Sequence, residues 1–279
     1  MFRQRKKTIR IAGAVCLITA LFFCAFGVDT AQAAGSGLII APLPEKTGHP
    51  GSPDAVETGT KPLGLGELRR KYSETFKFQG PRVKQVALTF DDVPDPRFTP
   101  QVLQVLRKEG VKATFFVVGH RAKKYPELLR KIHAEGHIIG NHSFSHPVFK
   151  KRSLKQFQSE ILRTEKIILG ITGYRPKLIR PPYGEINEEQ VRWAKQHGYT
   201  IVNWNVDSLD WKGLDQEKVV QNVLGTVGPG SIVLQHAGGG TGSNLTGTIE
   251  ALPEIIHTLR AKGYHFVTVP ELLNIPKYR

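Results

Sequence analysis

Two adjacent carboxylates, Asp91 and Asp92, end the apolar run LTFDD. Neighbouring residues of a strand point to opposite faces, so an ordinary surface strand would not need both acids. Either the two residues begin a turn before Pro94 and Pro96, or they perform two different tasks. In the second case one carboxylate could bind a metal ion while the other accepts a proton as a general base. Asp95, in the same segment, is interpreted as a turn residue.

His142 and His146 are separated by three residues in HSFSH. A helical turn would place both imidazoles on one face, within reach of a single ion. The spacing alone also fits two solvated or capping histidines. With Asp92 as a third ligand the set becomes His2Asp, which leaves a coordination position open for water or substrate. A metal ion there would acidify bound water and polarise a carbonyl group.

Other polar groups could support that chemistry. Arg180 precedes two prolines, and its guanidinium could hold a carboxylate bidentately and keep it ionised, with a surface arginine as the alternative. His236 follows SIVLQ and could protonate a departing amine, with a core histidine as the alternative. Asp207 and Asp210 lie close together in DSLDW, and either could orient or charge that imidazole.

Two aromatic residues lie beside these groups. Tyr183 follows Arg180 in RPPY, and Trp211 follows Asp210 in DSLDW. Both could form a wall for a sugar ring, because the C–H faces of a pyranose pack on aromatic rings. The alternative is that they belong to the core, as aromatic side chains more often do.

These residues are embedded in a regular alternation of segments that begins after Pro81. Seven strands are predicted at VKQVALTF, VKATFFVVG, HIIGNH, KLIRPP, YTIVNWNV, GSIVLQH and YHFVTVP. Helices are predicted at TPQVLQVLRKEG, AKKYPELLRKIHAEG, SLKQFQSEILRTEKIILGITG, NEEQVRWAKQHG, DQEKVVQNVLGTV and TIEALPEIIHTLRAKG. The alternation predicts an α/β fold with a parallel sheet, either closed as a barrel or open and doubly wound.

The residues with catalytic potential coincide with the carboxyl ends of these strands. The two acids end the first strand, NHSFSH the third, RPPYG the fourth, DSLDW the fifth and LQH the sixth. Parallel α/β folds and barrels place their active sites at this edge. No G-x-G-x-x-G follows the first strand, and the glycine-rich AGGGTGSN lacks the Lys-Ser/Thr of a P-loop, so nucleotide-binding folds lose their main support.

Taken together and in order, five segments resemble the motifs of the polysaccharide deacetylase family, carbohydrate esterase family 4. They are TFDD at 89–92, HSFSH at 142–146, RPPY at 180–183, DSLDW at 207–211 and LQH at 234–236. The resemblance covers residues 82 to about 273. It implies a deformed (β/α) barrel of about seven parallel strands that removes N-acetyl groups from amino sugars with a divalent metal, zinc first and cobalt or manganese as alternatives.

The resemblance also implies a role for each site residue. Metal ligands would be Asp92, His142 and His146. The base would be Asp91, positioned by Arg180, and the acid would be His236, tuned by Asp210. The backbone N–H of Tyr183 would help to stabilise the oxyanion, and Leu234 with Trp211 would line the acetyl pocket.

One position departs from the family pattern, which usually has glycine after the two acids where this chain has Val93. If that glycine takes a positive φ, a valine would be strained there. We therefore expect a reshaped loop after Asp92, with lower activity or an altered substrate groove.

The N-terminus reads as an export signal. A basic stretch, an uncharged apolar run and the small residues around Ala31-Gln32-Ala33 predict a signal peptide at 1–33, with an uncleaved membrane anchor as the alternative. Residues 34–80 are predicted to be a flexible Gly/Pro-rich spacer with a short helix in LGELRRKYSETF, and residues 81–279 the catalytic domain. Both cysteines lie in the leader, so any metal site in the remaining chain must use His, Asp or Glu.

The charge balance favours an anionic partner. Removing the leader's five basic residues and one acid from the 39 Lys and Arg and 24 Asp and Glu of the chain leaves a net charge of +11. In an exported protein this favours an acidic cell wall or membrane surface over nucleic acid. We expect a secreted, wall-associated monomer, membrane-anchored if the leader is retained, that acts on peptidoglycan or chito-oligosaccharide. A catalytically impaired wall-binding protein and an O-acetyl esterase of xylan type are the alternatives.

Overall fold

The computed structural model describes residues 62–279. The predicted leader at 1–33 and most of the predicted spacer therefore lie outside the described residues. Within residues 62–279 no helix has both the length and the apolar character needed to cross a membrane.

The described chain forms one curled sheet of parallel strands. In chain order they are β1 Phe76–Lys77, β2 Gln85–Val93, β3 Thr114–Val117, β4 Ile138–Asn141, β5 Leu178–Ile179, β6 Thr200–Val202, β7 Val206–Asp207, β8 Ser231–His236 and β9 His265–Phe266. The spatial order is β1-β6-β5-β4-β3-β2-β8-β7, with β9 paired to β2. Because β6 and β7 lie near opposite ends of this order yet are joined by only residues 203–205, the sheet must curl until its edges approach each other. The predicted parallel α/β fold is confirmed in its barrel form.

Helices cover the outside of the sheet. They are α1 Leu65–Lys71, α2 Thr99–Lys108, α3 Gly119–Lys124, α4 Pro126–Ala134, α5 Leu154–Thr172, α6 Glu188–Gln196, α7 Gln216–Leu224, α8 Thr246–Ala261 and α9 Val269–Leu273. Each of the helical segments predicted from periodicity coincides with one of these helices, and α8 begins two residues before its predicted segment. Side-chain caps fix two of the starts, because Ser153 and Asn187 accept hydrogen bonds from the backbone N–H groups of Gln156 and Gln190.

The strand predictions were wrong in two places. The segment YTIVNWNV is not one strand, because it breaks into β6 and β7 where the chain passes from one edge of the sheet to the other. The segment YHFVTVP is a strand only at its start. Thr268 and Glu271 form a capping box that begins α9 instead.

Alternation along β2 determines which residues face the site. Leu88 and Phe90 belong to the cluster between the sheet and the outer helices, whereas Ala87 packs with Phe116 in a separate cluster. Thr89 lies on the same face as Ala87 and accepts a hydrogen bond from a side chain inside the barrel. The following inward position at the carboxyl end of β2 belongs to Asp91.

The packed structure begins upstream of the predicted boundary at residue 81. Leu68 in α1 is fully buried and Phe76 in β1 is 1% exposed, and both belong to a cluster with residues of α5 and α6. Strand β1 pairs with β6. Part of the segment predicted as a spacer is thus an edge of the barrel. The glycine-rich stretch before α1 led to the prediction of a spacer that extends to residue 80.

We predict that Leu68→Ala lowers the free energy of unfolding by about 2–5 kcal/mol, because it opens a cavity under α1. Urea denaturation measures the loss. The matched control is Leu162→Ala on α5, where the side chain is 46% exposed and the expected change is within about 0.5 kcal/mol. Equal effects of the two substitutions would mean that α1 does not belong to the folded unit.

Candidate active site

The carboxyl ends of the strands surround a cleft of about 610 Å³. Eight of the predicted site residues line it: Asp91, Asp92, His142, His146, Tyr183, Trp211, Leu234 and His236. The two remaining ones, Arg180 and Asp210, are buried and contact Asp91 and His236. The structure therefore brings all ten predicted residues into one site.

Arg180 holds Asp91 from inside the barrel. Its side chain is fully buried, and Nη1 donates to Oδ1 of Asp91 at 2.8 Å and to Oγ1 of Thr89 at 2.7 Å. Other N–H groups donate to the carbonyls of Val202 and Asn203. The predicted bidentate grip was wrong, because the guanidinium divides its donors between one carboxylate oxygen and the backbone of the neighbouring strand.

Asp91 is placed to act as a proton acceptor. Its side chain is nearly buried, and burial raises the pKa of its carboxyl group, while the charges of Arg180 and His236 partly oppose that rise. A carboxylate with a raised pKa takes a proton from water more readily near neutral pH than an exposed one.

Asp92 reaches the same cleft because its backbone breaks the alternation of the strand. Its φ is 65°, a left-handed conformation, and the pairing of β2 with β3 shifts register between Phe90 and Val93. Such a conformation is costly for a residue other than glycine, and aspartate tolerates it better than most. Two neighbours in sequence therefore face one cavity.

The prediction of backbone strain at Val93 was wrong. Val93 is a regular residue of β2 that pairs with Val117, is fully buried, and accepts a hydrogen bond from the N–H of Val118 at 2.9 Å. The positive φ lies one residue earlier, at Asp92. Valine suits this position because it is an extended core position.

His142 and His146 meet through a loop, so the predicted helical turn was wrong. The loop has positive φ at Ser143 and at His146, and the two imidazole centroids are 4.9 Å apart. Glu160 of α5 holds the loop by accepting hydrogen bonds from the backbone N–H groups of Phe144 and Ser145 at 2.8 and 2.7 Å.

The three predicted ligands present their donor atoms to one point. One atom each of Asp92, His142 and His146 lies within 4.8 Å of the others. His142 Nδ1 donates to the carbonyl of Arg180 at 2.7 Å, so its Nε2 lone pair faces Asp92. Burial, with the neighbouring His146, lowers the pKa of His142 to about 3 and keeps it neutral, as a ligand must be. The donor set fits a divalent metal such as zinc.

His236 lies opposite Asp91 on the adjacent strand, with which it is in register. Its Nδ1 donates to Oδ1 of Asp210 at 2.7 Å, and its backbone N–H donates to Oδ2 at 2.8 Å. Thr248 of α8 also donates to Oδ2. Burial alone would lower the pKa of His236, but Asp210 and then Asp91 and Asp92 outweigh it and raise the pKa to about 9.

Of the two acids left open by the sequence, the structure selects Asp210 as the partner of His236. Asp207 instead accepts a hydrogen bond from the backbone N–H of Leu209 at 2.8 Å and lines the cleft. The pair of His236 and Asp210 therefore lies beside the pair of Asp91 and Arg180, and His236 and Asp91 line one cleft with the three candidate ligands.

Comparison with known proteins matches this arrangement to one family. A family model described as Polysaccharide deacetylase matches residues 79–202. A peptidoglycan-N-acetylglucosamine deacetylase of Bacillus cereus is 46% identical over 205 residues, which cover 73% of this chain and 74% of that protein. This chain belongs to the polysaccharide deacetylase family.

Two further similarities concern proteins of the same family. The peptidoglycan-N-acetylmuramic acid deacetylase PdaC of Bacillus subtilis is 41% identical over 71% of this chain, a match that spans 41% of that longer protein. The crystal structure of the Bc1960 peptidoglycan N-acetylglucosamine deacetylase, in complex with a naphthalenyl N-oxidanyl-benzamide, superposes with a TM-score of 0.74. It is 44% identical, and the match covers 76% of this chain and all of that one.

The aromatic residues of this deacetylase fold lie at the mouth of the cleft. Tyr183 is 63% exposed and Trp211 is 55% exposed, so neither belongs to the core. Tyr183 packs edge-on against His146 with ring centroids 4.9 Å apart. Leu234 is nearly buried and lines the wall beside Asp207, its partner in the pairing of β7 with β8.

Sequence reasoning missed several residues that line the cleft. They include Trp204, which lies in the predicted strand YTIVNWNV, and His120 and Arg121, which directly follow the predicted strand VKATFFVVG. His120 and Arg121 are polar residues at the carboxyl end of the second predicted strand, which is the same signal that marks the other site residues. Gly238 and Gly239 also line the cleft, although AGGGTGSN was considered only as a phosphate loop.

We predict that Asp210→Asn lowers the pKa of His236 from about 9 toward the ordinary histidine value of about 6.5. The neutral amide removes the negative charge that stabilises the imidazolium. Histidine NMR titration of the metal-free protein measures this change directly. In a profile of activity against pH, the decline on the alkaline side should move to lower pH, because His236 would lose its proton at a lower pH.

The control for this prediction is Asp215→Asn, which removes one exposed carboxylate at the start of α7 without touching His236. It should leave the titration of His236 in place. A His236 pKa that stays near 9 in Asp210→Asn would contradict the assignment of Asp210 as its main partner.

Proposed function

We propose that this chain is an exported metal-dependent deacetylase that hydrolyses the N-acetyl groups of peptidoglycan amino sugars. The observation that carries the proposal is that a held base, Asp91, and a held acid, His236, line the same cleft as a His2Asp cluster. Relatives that are named for peptidoglycan N-acetylglucosamine and N-acetylmuramic acid deacetylation support the substrate class.

Asp91 acts as the general base in this proposal. Its carboxylate accepts the proton of the attacking water while Arg180 keeps it oriented. The same buried contact supplies a positive charge that limits the pKa rise caused by burial. The carboxyl group of Asp91 therefore stays deprotonated before the reaction, and its raised pKa lets it accept a proton from water.

The divalent metal would be held by Asp92, His142 and His146. We expect zinc, with cobalt or manganese as alternatives. When bound, such an ion lowers the pKa of water and polarises the acetyl carbonyl. The residues around it fix the ligands: the Arg180 carbonyl orients His142, and Ser143 Oγ accepts the backbone N–H of His146 at 2.9 Å.

His236 acts as the general acid that protonates the departing sugar amine. With its pKa raised to about 9, the imidazole carries a proton at neutral pH. Asp210 stabilises that charge through Nδ1, which leaves Nε2 to donate. The Tyr183 backbone N–H would stabilise the oxyanion, and Leu234 with Trp211 would accommodate the acetyl group.

We further propose that the chain acts outside the cytoplasm as a monomer on the cell wall. The leader predicted at 1–33 and the basic charge of the remaining chain support export and attraction to an anionic wall. If the leader is retained, it anchors the enzyme to the membrane. The alternative of an impaired wall-binding protein rested on strain at Val93 and has lost that support.

We predict that the purified protein, supplied with zinc, cobalt or manganese, releases acetate from N-acetylated peptidoglycan strands. Asp91→Asn should lower the rate by about 10²–10⁴-fold, the usual contribution of a general base. Asp215→Asn, which changes an exposed acid in the same way, should retain the wild-type rate. Acetate release is measured enzymatically on each glycan.

Two results would contradict the proposal. One is the absence of acetate release by the wild type from any peptidoglycan strand with each of these metals. The other is a rate for Asp91→Asn equal to that of the wild type. Faster turnover of acetylated xylan than of N-acetyl substrates would favour the esterase alternative.

A further inference from the structure

One wall of the cleft is basic and takes no part in the hydrolysis described above. We call it the cationic wall: His120 and Arg121 on α3, with Arg97 behind them. His120 and Arg121 line the cleft directly, next to residues 238–240 of the glycine-rich segment. Trp211 and the acidic Asp207 also line the cleft, so its lining carries both signs of charge.

The cationic wall carries excess positive charge. Asp95 is nearly buried, and both arginines share it: Arg97 donates to its two oxygens at 3.0 and 2.7 Å, and Arg121 donates to Oδ2 at 2.9 Å. Burial would raise the pKa of Asp95, but these hydrogen bonds lower it to about 2. Two guanidinium groups therefore share one ionised carboxylate, and one positive charge is left in excess. The interpretation of Asp95 as only a turn residue was incomplete.

Arg121 keeps donors for a ligand. Its Nη1 is used by Asp95 and its Nη2 by the carbonyl of Gly239 at 2.6 Å, which accounts for two of the five N–H donors of a guanidinium. The side chain is 18% exposed and lies on the cleft. His120 Nδ1 is engaged by the carbonyl of Phe144 at 2.9 Å, which leaves Nε2 for the cleft.

The glycine-rich segment brings the cationic wall next to the metal cluster. A Cβ at Gly238 would lie 2.0 Å from the carbonyl oxygen of Asp92, so only glycine allows this approach. Arg97 and Arg121 then hold the following turn by donating to the carbonyl of Gly239. A cleft of about 610 Å³ is large enough for more than one sugar ring.

From these observations we propose that the cationic wall binds a carboxylate of the substrate. The inference rests on the proposed function, because it names which glycan the same cleft prefers. In peptidoglycan the carboxylate is carried by the muramic acid residue, on its lactyl ether or on the attached peptide. A chito-oligosaccharide has no such group, and Arg121 and His120 therefore discriminate between the two glycans.

Wild-type protein should show a KM about 5–20-fold lower for carboxylate-bearing strands than for the same strands with their carboxyl groups amidated, a range typical of a partly exposed charge-assisted contact. Arg121→Gln should bring the two KM values close to each other. Arg121→Lys, which keeps the charge and loses the planar fork, should retain part of it. Higher salt should reduce the ratio, since the contact is partly exposed.

The matched control is Lys124→Gln, which removes one positive charge from the same helix at an exposed position that does not line the cleft. It should leave the KM ratio unchanged. Because Arg121 also holds Asp95, thermal unfolding is measured in parallel, and His120→Gln tests the wall without touching that contact. His120→Gln should reduce the ratio in the same direction by a smaller factor.

Peptide-free strands and strands with peptides distinguish the two sources of the carboxylate. If Arg121→Gln loses the KM difference between charged and amidated strands on either set, the proposal is supported. An equal change in KM for charged and amidated strands in Arg121→Gln would overturn it. If the wild type releases no acetate from any glycan, the proposed function fails separately. Equilibrium binding of charged and amidated strands to wild type and Arg121→Gln then tests the cationic wall, and equal affinities would overturn it.

Discussion

The buried guanidinium of Arg180 is the interaction on which the rest of the site depends. A charge inside a barrel is tolerated only when it is paired and its donors are satisfied. Asp91 supplies the countercharge, and acceptors come from Thr89 and the carbonyls of Val202 and Asn203. The carbonyl of Arg180 itself orients His142. One residue at the end of β5 thus fixes the candidate base through its side chain and a candidate metal ligand through its backbone.

The second constraint is that two neighbouring acids must face one cavity. Regular pleating would send Asp92 to the opposite side of the sheet from Asp91. The left-handed backbone at Asp92 and the register shift after Phe90 cancel that alternation. The cost of this conformation is offset by regular packing on either side, because Phe90 and Val93 are both fully buried. Within β2 the left-handed conformation is confined to Asp92, the residue of this strand that would bind the metal.

Much of the fold and site could be predicted from the sequence, because periodicity and strand-end position are local properties of the chain. Arg180, His236 and both acids were found by their position at strand ends. The failures were matters of backbone geometry: the loop that joins His142 to His146, the positive φ at Asp92, and the passage at 203–205 that splits one predicted strand. None of these leaves a periodic signal, since each is fixed by contacts distant in sequence, such as that of Glu160 with the histidine loop.

The central claim is that the adjacent acids divide their tasks, Asp92 binding metal and Asp91 accepting a proton. Metal affinity of Asp91→Asn and Asp92→Asn, measured by competition with a chelating dye, tests it most directly. The account predicts that Asp91→Asn still binds about one zinc ion per chain. Its affinity should fall by at most about 10–100-fold, the usual effect of changing a residue that contacts a ligand but does not bind the metal. Asp92→Asn should lose more than that. Equal losses of affinity in the two variants, or a larger loss in Asp91→Asn, would contradict the division.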